Sequence, residues 1–224
     1  MNAVVKELIK AEKKAQLLFE EIEKRSILIP GNSELKINSL IFKLAFEMFG
    51  IEKYWHKRIV RCGENTLFPY NENPSNLTLK NDDILFLDFG PIFEDWEADF
   101  GRTYVIGNDP HKIKLKNDIE KAWHEGKEFF KSKSKITGAE LYTHAQNLAL
   151  KYGWEFGGEI AGHIIGQYPH EKLEKEDKSN YIHPENQTDM YSLNKKSERK
   201  NWIFEIHFVD RHKKIGGFFE QLMA

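Results

Sequence analysis

The chain has 224 residues, of which 30% are charged, and acidic and basic residues are mixed along it to give a formal net charge of -2 at pH 7. This length suits one large domain with a hydrophobic core of its own, and the lack of a long basic run argues against nucleic acid as a partner. A single cysteine, Cys62, excludes an intramolecular disulfide, the first twenty residues lack the apolar stretch of a signal peptide, and no apolar run approaches the ~18 residues that cross a bilayer. We therefore expect one domain over residues 1–224, located in the cytoplasm and without a membrane partner.

The N-terminal half is predicted to form two helices followed by strands. Apolar residues recur at helical spacing over 4–25, which predicts an amphipathic helix. A second predicted helix spans 34–49, between a capping residue, Ser33 or Asn32, and the glycine Gly50 that ends it. Three strand-like runs follow, at 58–62, 84–90 and 98–107.

The C-terminal half adds two predicted helices and a hairpin. One helix runs from Pro110 to about Phe130, and another lies between the cap residue Thr137 and Gly153. The stretch 171–200 is polar and irregular, which is typical of a surface loop or an insertion. Two more strand-like runs, separated by RHKK, close the chain at 201–210 and 215–222. Helices interleaved with antiparallel strands indicate an α+β domain.

The segment 85–104, LFLDFGPIFEDWEADFGRTY, places one carboxylate in each of two apolar runs. If this segment forms a hairpin that turns about Phe93 and Glu94, Asp88 and Asp99 face each other across the strands. Directly opposed side chains have Cβ atoms roughly 4.5 to 5.5 Å apart, and like charges there are destabilising. A shared proton or a cation would offset the repulsion.

Further ionisable residues also stand on apolar backgrounds. Glu205 lies in WIFEIHF, Glu220 lies in GGFFEQL, and His163 lies in GHIIG, with His170 seven residues later. Buried carboxylates need partners. Together with the two aspartates, these residues form a set of hard oxygen ligands and an imidazole, which suits a two-metal site with manganese, iron, cobalt or zinc. Each residue taken singly is more often structural, so the metal interpretation depends on the whole set.

Taken in chain order, the strings LDFG, ADFGRT, GHIIG, FEIHF and FFEQL resemble those of the pita-bread metallopeptidases. This superfamily includes methionine aminopeptidases, Xaa-Pro aminopeptidases and Xaa-Pro dipeptidases. The likeness runs over most of the chain, through PGNSELKI and VRCGENTL to the last strand. It implies a curved antiparallel sheet covered by helices, and a catalytic domain without the extra N-terminal domain of many Xaa-Pro peptidases.

The resemblance also implies roles for individual residues. Two divalent metal ions, of manganese, cobalt, zinc or iron, would be held by Asp88, Asp99, His163, Glu205 and Glu220. Glu205 would also carry the proton of the attacking water, and His170 would polarise the scissile carbonyl or stabilise the tetrahedral intermediate. GENTLFPYNEN is more similar to Xaa-Pro peptidases than to methionine aminopeptidases, so the implied substrate is a short peptide with proline after its N-terminal residue. A homodimer is left open.

The sequence departs from the family pattern in three places. A substrate-binding histidine usually precedes the first ligand, but Pro69 of LFPYNENP stands at the matching position, and His56 is distant from it in sequence. Ile-His replaces the Pro-Gly that usually follows the first glutamate. The histidine of this pair, His207, shares the strand face of Glu205, although an ordinary strand histidine is the commoner case. The long spacing from His163 to Glu205 indicates an inserted loop over the cleft.

Three other functions share individual features with this sequence. DFG at 88–90 and GRT at 101–103 are suggestive of a protein kinase, but the HRD and GxGxxG motifs are missing. A pita-bread protein can also bind a peptide or another protein without hydrolysis, or cleave a small non-peptide amide. Because all five ligand positions carry suitable residues, a metallopeptidase is the preferred function.

Overall fold

The computed structural model describes residues 3–169, 177–194 and 197–224, so His170 and part of the polar stretch 171–200 lie outside the described residues. The helices are α1 (Ala3–Lys24), α2 (Glu34–Phe49), α3 (Pro110–Lys131) and α4 (Gly138–Tyr152). The strands are β1 (Ile59–Cys62), β2 (Asp83–Phe89), β3 (Ile92–Phe93), β4 (Trp96–Glu97), β5 (Phe100–Ile106), β6 (Glu155–Phe156), β7 (Ile164–Ile165), β8 (Asn201–Asp210) and β9 (Ile215–Leu222). Every helix and strand predicted from the sequence is present. In the described part of the chain, no helix is both long enough and apolar enough to cross a membrane.

The helix boundaries follow from local side-chain chemistry. At the start of α2 the Ser33 side chain accepts a hydrogen bond from the backbone N–H of Lys36, and at its end Gly50 adopts a left-handed φ of 66°. Glycine reaches this conformation without a Cβ clash. At α4 the Thr137 side chain accepts from the N–H of Glu140, whose carboxylate accepts from the N–H of Thr137 in return. This capping box satisfies two backbone donors that the helix itself leaves unpaired.

Seven of the strands form one antiparallel sheet in the order β1-β2-β5-β9-β8-β6, with β7 paired to β8. The remaining two, β3 and β4, pair with each other at the tip of the hairpin that joins β2 to β5. The hairpins β2–β5 and β8–β9 lie side by side because β5 pairs with β9 through Gly101 and Glu220. Residues more than a hundred positions apart in sequence therefore meet in the middle of the sheet.

The helices cover one face of the sheet. Leu87 and Phe89 of β2 belong to the hydrophobic cluster that includes α1 and α2, and Phe204 of β8 belongs to the cluster that includes α3 and α4. All three side chains are fully buried, and full burial of such a side chain is worth about 1.5 to 3 kcal/mol. Because strand side chains alternate between faces, the intervening Asp88 and Glu205 project to the other face, which lines a cavity.

The hairpin between β2 and β5 turns one residue later than predicted. Glu94 and Asp95 are its central residues, with φ of 51° and 69°. The predicted turn about Phe93 and Glu94 was wrong because a tight two-residue turn of this kind requires positive φ at both central positions. Aspartate tolerates that conformation, whereas a bulky phenylalanine disfavours it.

The later turn changes the partner of Asp88. Asp88 pairs with Gly101 rather than with Asp99, so the predicted direct opposition of the two aspartates was also wrong. Relative to the prediction the partner is displaced by two positions, and an even displacement keeps every side chain on its original face. Asp88 and Asp99 therefore still share one face of the sheet.

Candidate metal centre

Three carboxylates lie in one row across the middle of the sheet. Asp88 on β2 pairs with Gly101 on β5, Gly101 pairs with Glu220 on β9, and Glu220 pairs with Glu205 on β8. Directly paired residues project to the same face, so the three carboxylates converge on the cavity side. Gly101 contributes no side chain to the row, and a Cβ there would lie 2.6 Å from Cδ1 of Phe218 and 3.0 Å from Cβ of Glu220.

Asp99 joins the row from the residues just before β5. Its side chain is 2% exposed, and its two oxygens contact different imidazoles. Oδ1 lies 3.0 Å from Nε2 of His56, and Oδ2 lies 3.1 Å from Nε2 of His163. Asp99 belongs to two groups of residues, and within each group the possible ligand atoms all lie within 4.8 Å of one another. One group is His56, Asp88 and Asp99, and the other is Asp99, His163 and Glu220.

His163 reaches the site because the chain before it runs unusually close to β8. The backbone N–H of Glu205 donates to the carbonyl of Ala161 at 3.0 Å, and the N–H of Ile203 donates to the carbonyl of His163 at 2.8 Å. Between these bonds, Gly162 has a φ of 133°, and a Cβ there would lie 2.1 Å from the carbonyl oxygen of Ile203. Only glycine permits this approach, which delivers the predicted ligand His163 to the carboxylates.

His56 also lies at the site, although its distance in sequence from Pro69 argued against it as a replacement for the expected upstream histidine. Its Nε2 lies 3.0 Å from Oδ1 of Asp99 and 3.6 Å from Oδ1 of Asp88, and its side chain is 8% exposed. The register of β1 on β2 explains the position, because Ile59 pairs with Asp88. A strand that runs antiparallel to β2 brings the residues before it close to the residues after Asp88. A prediction that the strands at 58–62 and 84–90 pair with each other would therefore have placed His56 near the aspartates.

Burial and neighbouring charges perturb these groups in opposite directions. Burial raises the pKa of Asp88 to about 7, and burial together with the charges of Asp99 and Asp88 raises the pKa of Glu220 well above its ordinary value. Burial also opposes ionisation of Asp99, but the charge of His56 and hydrogen bonds from both histidines hold its pKa below its usual range. Burial disfavours the His56 cation, yet Asp99 and Asp88 outweigh this and raise the pKa of His56 to about 9. Without a metal the site therefore holds protons that a cation would displace.

A cavity of about 440 Å³ opens over the row of carboxylates, and all five predicted ligands line it together with His56, His207 and Pro69. Aromatic rings form much of the remaining wall: Trp55, Phe68, Tyr70, Phe86 and Phe218. His207 engages a backbone group, since its Nε2 lies 2.8 Å from the carbonyl oxygen of Thr66 and donates to it. Burial lowers the pKa of His207 to about 4. His207 is therefore a neutral strand histidine in the cavity wall.

The loop that carries Pro69 is fixed by a buried cation. The guanidinium of Arg61 donates to the carbonyl oxygens of Phe68, of Pro69 at 2.7 Å and of Glu72 at 2.8 Å. Arg61 is 4% exposed, and its burial is offset by hydrogen bonds to backbone acceptors. Pro69 therefore lines the cavity at the position where the sequence resemblance leads us to expect an imidazole.

Comparison with known proteins identifies the family. The family model described as Metallopeptidase family M24 matches residues 6–195, which is most of the chain. The chain belongs to metallopeptidase family M24. Membership implies divalent metal ions, and the site holds histidine and carboxylate groups of the kind that bind them. The matched range contains Asp88, Asp99 and His163, whereas Glu205 and Glu220 lie beyond it and reach the same cavity through β8 and β9.

Individual relatives agree with this assignment. The M24 chain is 25% identical over 173 residues to a Xaa-Pro dipeptidase of Pyrococcus horikoshii, which covers 73% of this chain and 48% of that protein. Its fold matches an X-Pro aminopeptidase from Thermotoga maritima with a TM-score of 0.76 at 20% identity, over 96% of this chain and 56% of the other. It matches a methionine aminopeptidase from the same organism with a TM-score of 0.72 at 15% identity, over 99% and 92% of the two chains. The predicted pita-bread fold is thus confirmed, and the chain spans about half the length of the two Xaa-Pro peptidases.

Proposed function

We propose that this M24 protein is a dinuclear metallopeptidase. Its two divalent ions would be held by Asp88, Asp99, His163, Glu205 and Glu220. The strongest support is that all five residues, drawn from distant parts of the chain, line one cavity. Asp99 also belongs to two separate groups of ligand-type atoms, as a residue that bridges two ions would.

The donor atoms suit divalent cations. Within the described ranges, Oδ1 of Asp88 and Oε2 of Glu220 are buried and have no hydrogen-bond partner, and an unsatisfied buried polar group costs roughly 1 to 3 kcal/mol. Carboxylates combined with imidazole suit manganese, cobalt, iron or zinc. When bound, two such ions supply Lewis-acid polarisation of a carbonyl oxygen and make water nucleophilic at neutral pH.

Glu205 is the proposed proton carrier. It is half-buried, lines the cavity and lies opposite Glu220 on the neighbouring strand. Burial raises the pKa of Glu205, which suits a carboxylate that takes a proton from the attacking water and returns it to the leaving amine nitrogen. The water oxygen bonds to the carbonyl carbon, the C–N bond breaks, and the products are a free amino acid and the shortened peptide.

The two histidines of the segment after Gly162 have separate proposed roles. His163 holds an ion through its neutral imidazole. His170, outside the described residues, donates a hydrogen bond to the substrate carbonyl oxygen as negative charge develops on it. Because Pro69 cannot donate a hydrogen bond, His170 carries more of this task than it would beside an upstream imidazole.

The proposed substrate is a short peptide, with proline preferred after the N-terminal residue. The cavity of about 440 Å³ lies within the usual size of sites that enclose a small molecule. Its aromatic walls, which include Trp55, Tyr70 and Phe86, provide apolar contact area for a pyrrolidine ring. Similarity to a Xaa-Pro dipeptidase and to an X-Pro aminopeptidase supports the same substrate class.

Residues 1–224 are proposed to act as one catalytic domain. Strands from both halves of the chain form a single sheet, and both halves supply residues to the cavity. Neither half could assemble the proposed centre alone, because Asp88 and Asp99 belong to one hairpin and Glu205 and Glu220 to the other.

The proposed function can be tested by metal analysis combined with peptide hydrolysis. Purified protein is analysed by plasma mass spectrometry and assayed against matched Xaa-Pro and Met-Ala peptides, with chromatography of the released amino acid. We expect two ions per chain and faster release from the Xaa-Pro peptides. Glu205→Gln, which keeps the side-chain volume but removes the proton acceptor, should abolish release. Faster cleavage of Met-Ala peptides would overturn the substrate preference.

The alternative function is a pita-bread domain that binds a peptide or protein without hydrolysing it. The presence of Pro69 where a substrate-binding imidazole is expected favours this alternative. It predicts that metal-loaded protein binds Xaa-Pro peptides in calorimetry but releases no amino acid. Such a result would reject the hydrolase and retain the binding site, whereas release that Glu205→Gln abolishes would reject the alternative.

A further inference from the structure

His56 faces the carboxylates but is not among the five proposed ligands. We propose that His56 is a sixth ligand, which binds through Nε2 the ion held by Asp88 and Asp99. His56 would join the metal centre proposed above, on which this inference rests. Each of the two ions would then have its own imidazole, His56 for one and His163 for the other.

The hydrogen bond made by Nδ1 of His56 determines whether Nε2 carries a lone pair that can bind a metal ion. Nδ1 lies 2.7 Å from the carbonyl oxygen of Lys57; because that oxygen is only an acceptor, Nδ1 carries the hydrogen and donates it. In the neutral ring, Nε2 then carries the lone pair. This lone pair faces Oδ1 of Asp99 at 3.0 Å and Oδ1 of Asp88 at 3.6 Å. Three electron-rich atoms meet there, and a proton or a cation must lie among them to offset the repulsion.

His163 is presented to Asp99 in the same way. Its Nδ1 lies 2.9 Å from the carbonyl oxygen of Ile164, and its Nε2 lies 3.1 Å from Oδ2 of Asp99. Each histidine thus bonds the carbonyl of the next residue and offers Nε2 to a different oxygen of one aspartate. Metal-binding histidines are typically held by such an acceptor on the second nitrogen. The geometry that makes His163 a candidate ligand therefore applies equally to His56.

The chain around His56 fixes the ring in place. The backbone N–H of Trp55 donates to the carbonyl of Gly90 at 2.9 Å, and its indole Nε1–H donates to the carbonyl of Ala98 at 3.0 Å. These bonds tie the segment to both strands of the hairpin that carries the aspartates. Gly90 leaves space for the ring, since a Cβ there would lie 2.2 Å from Cδ2 and 2.4 Å from Nε2 of His56. The His56 ring also packs edge-on against Trp55, with centroids 4.4 Å apart.

A second imidazole would change the metal preference of the site. Carboxylates alone favour ions such as manganese, whereas a nitrogen ligand on each ion shifts the preference toward cobalt, iron and zinc. A protonated His56 would instead act as a fixed cation in place of one ion. The two arrangements differ in the number of ions bound and in the number of imidazoles that coordinate them.

Cobalt is a suitable probe because its visible absorption reports the ligands around it. Metal-stripped wild-type protein, His56→Gln and His207→Gln are titrated with Co²⁺ by calorimetry, and the loaded samples are measured by visible absorption and by X-ray absorption fine structure. Circular dichroism verifies that each variant is folded. His207 is the matched control, because it is a buried imidazole of the same cavity whose Nε2 is bonded to the Thr66 carbonyl.

We expect wild-type protein and His207→Gln to bind two Co²⁺ ions with scattering from two imidazoles. His56→Gln should bind one of the ions at least about tenfold more weakly, with one imidazole remaining and an altered visible band. Gly90→Ala, whose methyl group displaces the His56 ring, should show the same loss while the histidine is retained.

Two results would overturn the assignment of His56 and leave the metal centre intact. One is unchanged affinity and an unchanged spectrum in His56→Gln. The other is wild-type protein that binds a single ion coordinated by one imidazole, which indicates a protonated His56. Wild-type protein that binds no Co²⁺ would reject the metal centre itself, and the assignment of His56 with it.

Discussion

Metal removal should make the stability of this protein fall steeply between pH 6.5 and 9. The pKa of His56 is raised from 6.5 to about 9 in the folded protein, because Asp99 and Asp88 outweigh the effect of burial. A raised folded-state pKa contributes stability that is complete below the unfolded value and is lost as pH rises through the folded value. The difference of about 2.5 units, at 1.36 kcal/mol per unit, corresponds to about 3 kcal/mol. Because the side chain is 8% exposed, solvent screening reduces this figure little.

Among the other groups of the cavity, Glu220 acts in the same direction as His56, because burial and the charges of Asp99 and Asp88 raise its pKa well above the ordinary value and its proton is lost as pH rises. Burial raises the pKa of Asp88 to about 7, so its contribution is lost mostly below the window. Burial lowers the pKa of His207 to about 4, so the stability it contributes grows as pH rises toward 6.5 and is nearly complete there. The lowered pKa of Asp99 makes its contribution complete at lower pH. The raised pKa of His163, where the bond and charge of Asp99 outweigh burial, acts in the same direction as that of His56.

Urea unfolding at pH 6.5, 7.5 and 9 in the presence of a chelator measures this loss. Wild-type protein should lose at least about 3 kcal/mol, or roughly 1 M in the urea midpoint for an m-value of ~3 kcal/mol/M. His56→Gln should lose about 3 kcal/mol less than wild-type protein, because the His56 contribution is removed. With excess divalent metal the decline should disappear, because ions compete with protons for the same groups and bind more tightly as pH rises. Metal-stripped wild-type protein that is equally stable at pH 6.5 and 9, or a full decline in His56→Gln, would refute the reasoning.

Metal binding, backbone packing at Gly101 and the roles of the two histidines can each be tested separately. Chelation should remove about 2.7 kcal/mol of unfolding free energy if the ions are present at a hundredfold excess over their Kd. In a chain of this size that loss lowers Tm by roughly 5 to 10 °C. An unchanged calorimetric Tm with no ion recovered would reject bound metal. Gly101→Ala should cost ~1 to 3 kcal/mol in urea unfolding, since its Cβ would lie 2.6 Å from the ring of Phe218, and an unchanged midpoint would contradict that close packing. His163→Ala should weaken or lose one ion, whereas His170→Ala should keep both ions and lower kcat by ~10² to 10³. Metal analysis alongside steady-state kinetics separates the two, and metal loss in His170→Ala would reverse their roles.

The elements of this fold could be predicted because their signals are local. The cap at Ser33 and the glycine at Gly50 lie next to the helix they bound, and the capping box at Thr137 needs only Glu140, three residues away. Alternation along 201–210 likewise places Glu205 on the face opposite the apolar residues beside it. Such patterns depend on backbone geometry within a few residues, so the sequence contains them in full.

The register of the strands was harder to predict from the sequence than the helices and strands themselves. The turn at Glu94 and Asp95 differs from the predicted one by a single position, which displaced the partner of Asp88 from Asp99 to Gly101. Turn type depends on which residues accept positive φ, and the two candidate turns differ there by a modest energy. The shared face of Asp88 and Asp99 survived the error because side-chain direction repeats every two residues.

The sequence by itself determined the α+β class, the four helices and five of the strands, and five candidate ligand residues in an order that resembles the M24 peptidases. Only the tertiary structure decided that Asp88, Glu220 and Glu205 form one row across four strands, and that Asp99 lies between two histidines. The same holds for His56, which precedes the first aspartate by more than thirty residues and reaches it because β1 pairs antiparallel with β2. The physical reason is that strand pairing and the close approach of loops depend on contacts between distant segments. Those contacts are selected by burial of the whole apolar face rather than by any local pattern.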